Sequence, residues 1–163
     1  MSNARNLANL LGTRARPKDS IVQIVTNNTA TQVANTTDGG SADLLSVSIT
    51  PTSSSNKVMI MITGFFGQGN PNGAVRLLRD STSLAEGTGS FGGGNGYLAY
   101  DDQGGSQYTM ESHAFHFIDT PNTTSAITYK IATQSHTTCY FNRSRQDNSG
   151  RSSSTITAME IKG

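Results

Sequence analysis

The sequence predicts an all-β chain folded as a jelly-roll-like antiparallel β-sandwich, on three observations. Apolar and polar residues alternate in short runs: Leu45, Val47 and Ile49 against Ser46, Ser48 and Thr50, then Ile127, Tyr129 and Ile131 against Thr128, Lys130 and Ala132. Successive strand side chains point to opposite faces, so each run buries one side and wets the other. Strong turn strings separate the runs: Asp38-Gly39-Gly40, Asn70-Pro71-Asn72-Gly73, Asp119-Thr120-Pro121-Asn122 and Asn148-Ser149-Gly150. From residue 21 onward no run carries the period of a long helix.

Alternation and turns place strands at 21–26, 29–34, 44–50, 57–65, 74–79, 97–100, 108–118, 125–133, 138–142 and 154–161. The run at 57–65 is apolar on both faces, with Val58, Ile60 and Ile62 on one and Met59, Met61 and Phe65 on the other. A strand so built is expected to be covered on both sides, either centrally in the sandwich or in a subunit interface. The glycine-rich interval 86–96 and the loop 143–153 are too long for tight hairpins; loops of that length commonly carry function or motion.

Ahead of this domain, assigned to residues 21–163, lies a separate piece, residues 1–20. Ala4, Leu7, Ala8, Leu10 and Leu11 stand at helical spacing, with Ser2 or Asn3 as cap and Gly12 as stop. A helix this short does not hold alone in water and needs a surface to lie on. Residues 13–20 are basic, contain Pro17 and read as an extended arm.

Composition narrows the function classes. The chain has 163 residues, one domain's worth, and can bury a core without staples. Only 34% of residues are hydrophobic and 14% charged, leaving a surface of Ser, Thr, Asn and Gly that suits strands and turns. Net charge is +1, without the basic stripe that collects phosphates, so no nucleic-acid partner is expected. The basic clusters are Arg14, Arg16 and Lys18 in the arm and Arg143, Arg145 and Arg151 in the late loop. Cys139 is the one cysteine, which excludes an intrachain disulfide and reads as a buried thiol. Residues 1–12 do not have the form of an export signal, and the most apolar run, 58–66, is broken by Thr63 and Gly64. Folding where it is made, in a cytosol, with no membrane partner, is the expectation.

Reactive constellations are weak. Gly87-Thr88-Gly89-Ser90-Phe91-Gly92 matches a dinucleotide-binding string, but no helix follows to meet a pyrophosphate. His113 and His116 fall three apart on a strand and so on opposite faces, which defeats shared coordination. Asp101 and Asp102 lack the alternating acidic ligands of a calcium loop. Glu111 and His113 share a strand face and are expected to pair structurally. Asn27, Asn35, Asn122 and Asn142 stand in Asn-x-Ser/Thr strings, which a Ser- and Thr-rich chain produces by chance. No catalytic residue, metal site or cofactor is assigned.

Four segments in order carry a resemblance: Ile49-Thr50-Pro51 through Asn56-Lys57-Val58-Met59-Ile60; Arg76-Leu77-Leu78-Arg79-Asp80-Ser81-Thr82; Asp119-Thr120-Pro121 leading to Ser125–Lys130; and Ser154–Ile161. Together they resemble virion structural proteins of tailed bacteriophages, marine and cyanobacterial phages in particular, where such β-sandwich domains occur in head-decorating and fibre-like proteins. The resemblance covers residues 49–162 and implies a homotrimer in the virion, with the major capsid protein or another virion protein as partner. It transfers no catalytic residue. A short arm before the domain suits a capsid decoration, or cement, protein better than a fibre with a long shaft. In that reading Leu7, Leu10 and Leu11 form the anchor and Arg14, Arg16 and Lys18 meet capsid carboxylates. The alternative is a short tail- or head-fibre tip whose loops, with Phe91, Tyr97, Arg143, Arg145 and Arg151, grip a host surface receptor or glycan.

Overall fold

The protein is described by a computed structural model covering residues 17–35, 41–67, 73–84, 98–100, 108–135, 139–146 and 150–163. Among these residues there are eleven strands and no helix. In chain order they are β1 (Ile21–Thr29), β2 (Val33–Asn35), β3 (Ser41–Ile49), β4 (Lys57–Gly67), β5 (Gly73–Arg79), β6 (Thr82–Leu84), β7 (Leu98–Tyr100), β8 (Met110–Asp119), β9 (Ile127–Ser135), β10 (Cys139–Phe141) and β11 (Ser154–Ile161). All pairings are antiparallel and fall into two sheets, so the all-β expectation holds. The expected N-terminal helix lies outside the described residues.

Register reveals that several strands are pieces of longer rows. β8 runs along one edge of β4 from Val58 to Gly67, so the opposite edge is shared by β11, against residues 57–63, and β10, against Phe66 and Gly67. β1 and β2 follow the same two pieces on their far side. In the second sheet β9 occupies one edge of β5; β6 and β7 share the other, with Leu84 opposite Leu77 and Leu98 opposite Val75. Leu84 and Leu98 therefore fall two positions apart along that edge. Counted this way there are eight rows. The first sheet reads β1/β2, β11/β10, β4, β8, and the second reads β3, β9, β5, β6/β7.

Alternation packs the two sheets together. Val58, Ile60, Ile62 and Phe66 of β4 and Ile156 and Ala158 of β11 face Leu45, Val47, Ile49, Val75, Leu77, Ile127, Tyr129 and Ile131 of the second sheet. Each large aliphatic or aromatic side chain withdrawn from water contributes about 1.5–3 kcal/mol. Phe66 and Phe141 meet in a tilted pair with centroids 5.4 Å apart, closing the core near the break between β10 and β11.

That break is held by Asn142, which is fully buried and takes the left-handed conformation at φ 57°. Its backbone N–H donates to Phe65 O at 2.9 Å, continuing the β10 ladder. Its side-chain amide donates to Thr29 O and Thr31 O, at the matching break between β1 and β2. Ser154 Oγ donates to Asn142 Oδ1 at 2.6 Å and accepts from Phe65 N–H. One asparagine thus satisfies backbone groups that an interrupted ladder would leave unpaired, each costly when buried. Gly67 sits beside this corner because a Cβ there would run into the Arg143 carbonyl oxygen.

Three expectations change. The strand expected at 29–34 is short and begins at Val33, since residues 30–32 cross the break. Thr82–Leu84 adds a strand that alternation alone did not mark, formed by the Asp80-Ser81 hairpin. The strand at 57–65 is central and buried on one face, but its other face is not fully covered in the single chain: Met61 is 42% exposed. The β3–β4, β5–β6 and β8–β9 connections lie at one end of the sandwich, where β1 starts and β11 finishes.

Candidate functional site

At that same end the root of the N-terminal arm is pinned. Ser20 N–H and Oγ both donate to Pro17 O, closing a turn over Pro17-Lys18-Asp19-Ser20 with Asp19 at φ 64°. A positive φ at the third residue is the mark of a type II turn. Asp19 N–H donates to Lys162 O and Lys162 N–H to Ser20 O, each at 2.9 Å, so the turn extends the β1–β11 ladder. Lys18 is exposed on the turn. Leu7, Leu10, Leu11, Arg14 and Arg16 lie outside the described residues, as do Phe91, Tyr97, Asp101, Asp102 and the Gly87–Gly92 string.

The arginine loop is braced internally. Arg143 and Arg151 pair across its neck; Ser144 N–H donates to Gly150 O, and Gly150 N–H returns to Ser144 Oγ. Arg143 directs Nε to Ser144 O at 3.0 Å and an Nη to Arg145 O at 3.3 Å. Its guanidinium stacks 5.4 Å from the centroid of Tyr140. Arg143, expected to face a partner, thus commits two of its N–H donors and its stacking face to its own loop and to Tyr140. Arg145 is half-buried and Arg151 exposed.

Two buried carboxylates were not singled out by sequence pattern. Glu160 is fully buried near the end of β11. It accepts from Gln23 Nε2 (2.6 Å), Thr52 N–H (2.7 Å), Thr52 Oγ1 (2.8 Å) and Asn56 Nδ2 (2.5 Å). Burial pushes its carboxyl up, but the bonds from Asn56, Gln23 and Thr52 outweigh that and hold it below the usual carboxylate range. Asp119 ends β8 and meets Arg79 Nη1 at 3.0 and 2.8 Å through its two oxygens. It also accepts from Tyr129 Oη at 2.7 Å. Burial first, then the bond to Asp119 and its charge, push the Tyr129 phenol far above its ordinary value, and Arg79 opposes them. All four carboxylate oxygens are occupied, which describes structural anchors. A cavity of about 370 Å³ beside this end is lined by Val22, Thr52, Ser53, Ser55, Asn56 and Lys162, without an aromatic face.

The histidines fall as spacing predicts. His113 points inward against Phe66 and lies 3.7 Å from Glu111, while His116 is on the outer face. Among the described residues no group of three His, Cys, Asp or Glu side chains converges.

The outer face of the first sheet presents a row of large apolar side chains that crosses all four rows. Ile24 of β1 is opposite Met159 of β11, Met159 opposite Met59 of β4, and Met59 opposite Ile118 of β8. Ile24 and Ile118 are about half exposed, and Met61 continues the patch one step along β4. Scattered exposed aliphatics are ordinary, whereas a contiguous band is a candidate contact surface. By contrast Leu78 and Ala132, which alternate onto the outer face of the second sheet, are buried. Met59 and Met61 were marked by the double pattern of their strand; Ile24, Ile118 and Met159 join them only through cross-strand register.

No family model matches the chain, and no curated protein matches it. Among solved structures it is similar to a chain described as "Structure of infectious bursal disease virus Gt strain", at 13% identity and a TM-score of 0.44. The match covers 89% of this chain and 39% of that one, so the chain spans about two fifths of that neighbour's length.

Proposed function

We propose that this protein is a non-enzymatic virion structural protein of a tailed bacteriophage: a trimeric decoration protein that binds the assembled head through its N-terminal arm. The observation that carries the reading is the strand order. Eight rows in two four-row sheets, with the chain crossing repeatedly between them, match the double Greek key of a jelly roll, an architecture common in viral capsids and lectins. Fold does not by itself define function. The sequence resemblance described above and the pinned arm root add to it. A ligand that binds only the closed shell stabilises that shell by mass action, and three arms in one trimer raise the effective concentration of each.

A glycan-gripping fibre tip would display aromatic faces. Of the tyrosines whose side chains are described, Tyr129 is buried, Tyr140 lies under Arg143, and Tyr108 is exposed. That pattern does not favour the fibre reading.

The test is co-sedimentation of the full chain with phage heads lacking it, followed by heating of the decorated heads. Saturable binding and a raised disruption temperature are expected. Both should be lost in the Leu7→Asp/Leu10→Asp/Leu11→Asp variant and weakened in Arg14→Glu/Arg16→Glu. Undiminished binding by the leucine variant would remove the arm from the mechanism.

A further inference from the structure

We infer that the apolar band on the outer face of the first sheet is a docking surface for the protein's own N-terminal segment, with Leu7, Leu10 and Leu11 lying across Ile24, Met159, Met59 and Ile118. The claim goes beyond the proposed role and stands without it.

Direction supports this occupant first. The turn at Pro17–Ser20 reverses the chain just before β1 and is held by both Lys162 bonds. The turn brings Pro17 back beside Ser20, so a segment continuing from it in the reversed sense would run alongside β1. β1 is an edge row of this sheet and carries Ile24, the end of the band on that side.

Length supports it next. Sixteen residues precede Pro17. Residues 12–16, extended, reach up to about 17 Å, enough to pass from the turn to the row at Ile24. Four rows set about 4.8 Å apart make a face roughly 14 Å across. A helix over residues 4–11 would be about 12 Å long, which matches the span from Ile24 to Ile118.

Chemistry closes the argument. Leu7, Leu10 and Leu11, with Ala4 and Ala8, form one apolar stripe that cannot be stable in water alone. The band has the complementary need, and its methionines adapt their shape to an irregular partner. Seated there, the leucines are held out of water, and a particle that recruits the arm must compete with the sheet for them.

Three of the chain's five methionines lie on the band, which makes methyl NMR the direct test. The full chain is prepared with labelled Met methyls, and separately with labelled Leu methyls. Cross-peaks are expected from Met59, Met61 and Met159 to leucines of residues 7–11 when both labels are on one chain. They should vanish in a mixture of singly labelled chains, and in Leu7→Asp/Leu10→Asp/Leu11→Asp, where the three Met methyls should also become more accessible to a soluble paramagnetic probe. Cross-peaks persisting in the mixture would overturn the proposal in favour of arm exchange between copies. Absent cross-peaks, with Met accessibility unchanged by the triple variant, would overturn it outright. No phage particle enters the experiment, so its failure is distinct from failure of the decoration reading.

Discussion

Asp119 and Glu160 lie at the same end of the first sheet, both buried, and stay in the folded protein by different means. Asp119 reaches across to the second sheet, where the Arg79 guanidinium and the Tyr129 hydroxyl meet it. Glu160 stays with its own sheet and the adjoining connection, drawing neutral donors from Gln23, Thr52 and Asn56. A buried carboxylate needs either an opposite charge or enough hydrogen-bond donors to replace water. Here the charge ties two sheets together, while the donors shape the connection over residues 50–56. One carboxylate is a bolt between layers; the other is a template for a loop.

The contrast is broken most severely by removing the bolt. Asp119→Ala leaves Arg79 and the Tyr129 hydroxyl without their acceptor and is expected to cost about 3–5 kcal/mol in urea unfolding, as for other broken buried pairs. A loss under 1 kcal/mol would mean that water replaces the carboxylate. Glu160→Gln comes next, at about 2–3 kcal/mol, because an amide nitrogen now faces donors and the charge-assisted bonds are lost. Tyr129→Phe should cost only about 1 kcal/mol, since Asp119 keeps Arg79.

Acidity separates the two sites further. Glu160 has a folded pKa below its unfolded value near 4.3, so its contribution is complete above that value and is lost as pH falls through the folded one. Glu160→Gln should therefore flatten the acid limb of the stability profile. Tyr129 behaves oppositely: its folded pKa is raised, so its contribution is complete below about pH 10 and is lost as pH climbs further. Tyr129→Phe should flatten the alkaline limb and leave the acid limb alone. Thermal melts from pH 3 to 11 on both variants would show whether the limbs separate as described.

Much of the sandwich was legible because alternation is a local signal. Leu45, Val47 and Ile49, like Ile127, Tyr129 and Ile131, declare a buried face without knowledge of their partners, and the structure buries all six. The interruptions were not legible. Asn142 looks like a chance Asn-x-Ser string until Thr29 and Phe65, far away in sequence, and Ser154, across the loop, converge on it. The candidate surface was half visible. Met59 and Met61 were marked as an apolar second face, but the band needs Ile24, Met159 and Ile118 from three other strands, and no local pattern sets that register.

Residue order alone determined which stretches become strands, which face of each is oily, and where the turns fall, because side-chain direction alternates within a single segment. Tertiary structure decided which strands lie side by side, which carboxylate receives a charge, and that four apolar side chains line up in one exposed row. Those outcomes depend on pairings between residues far apart in the chain, 137 positions in the case of Gln23 and Glu160, and a short window of sequence does not contain them.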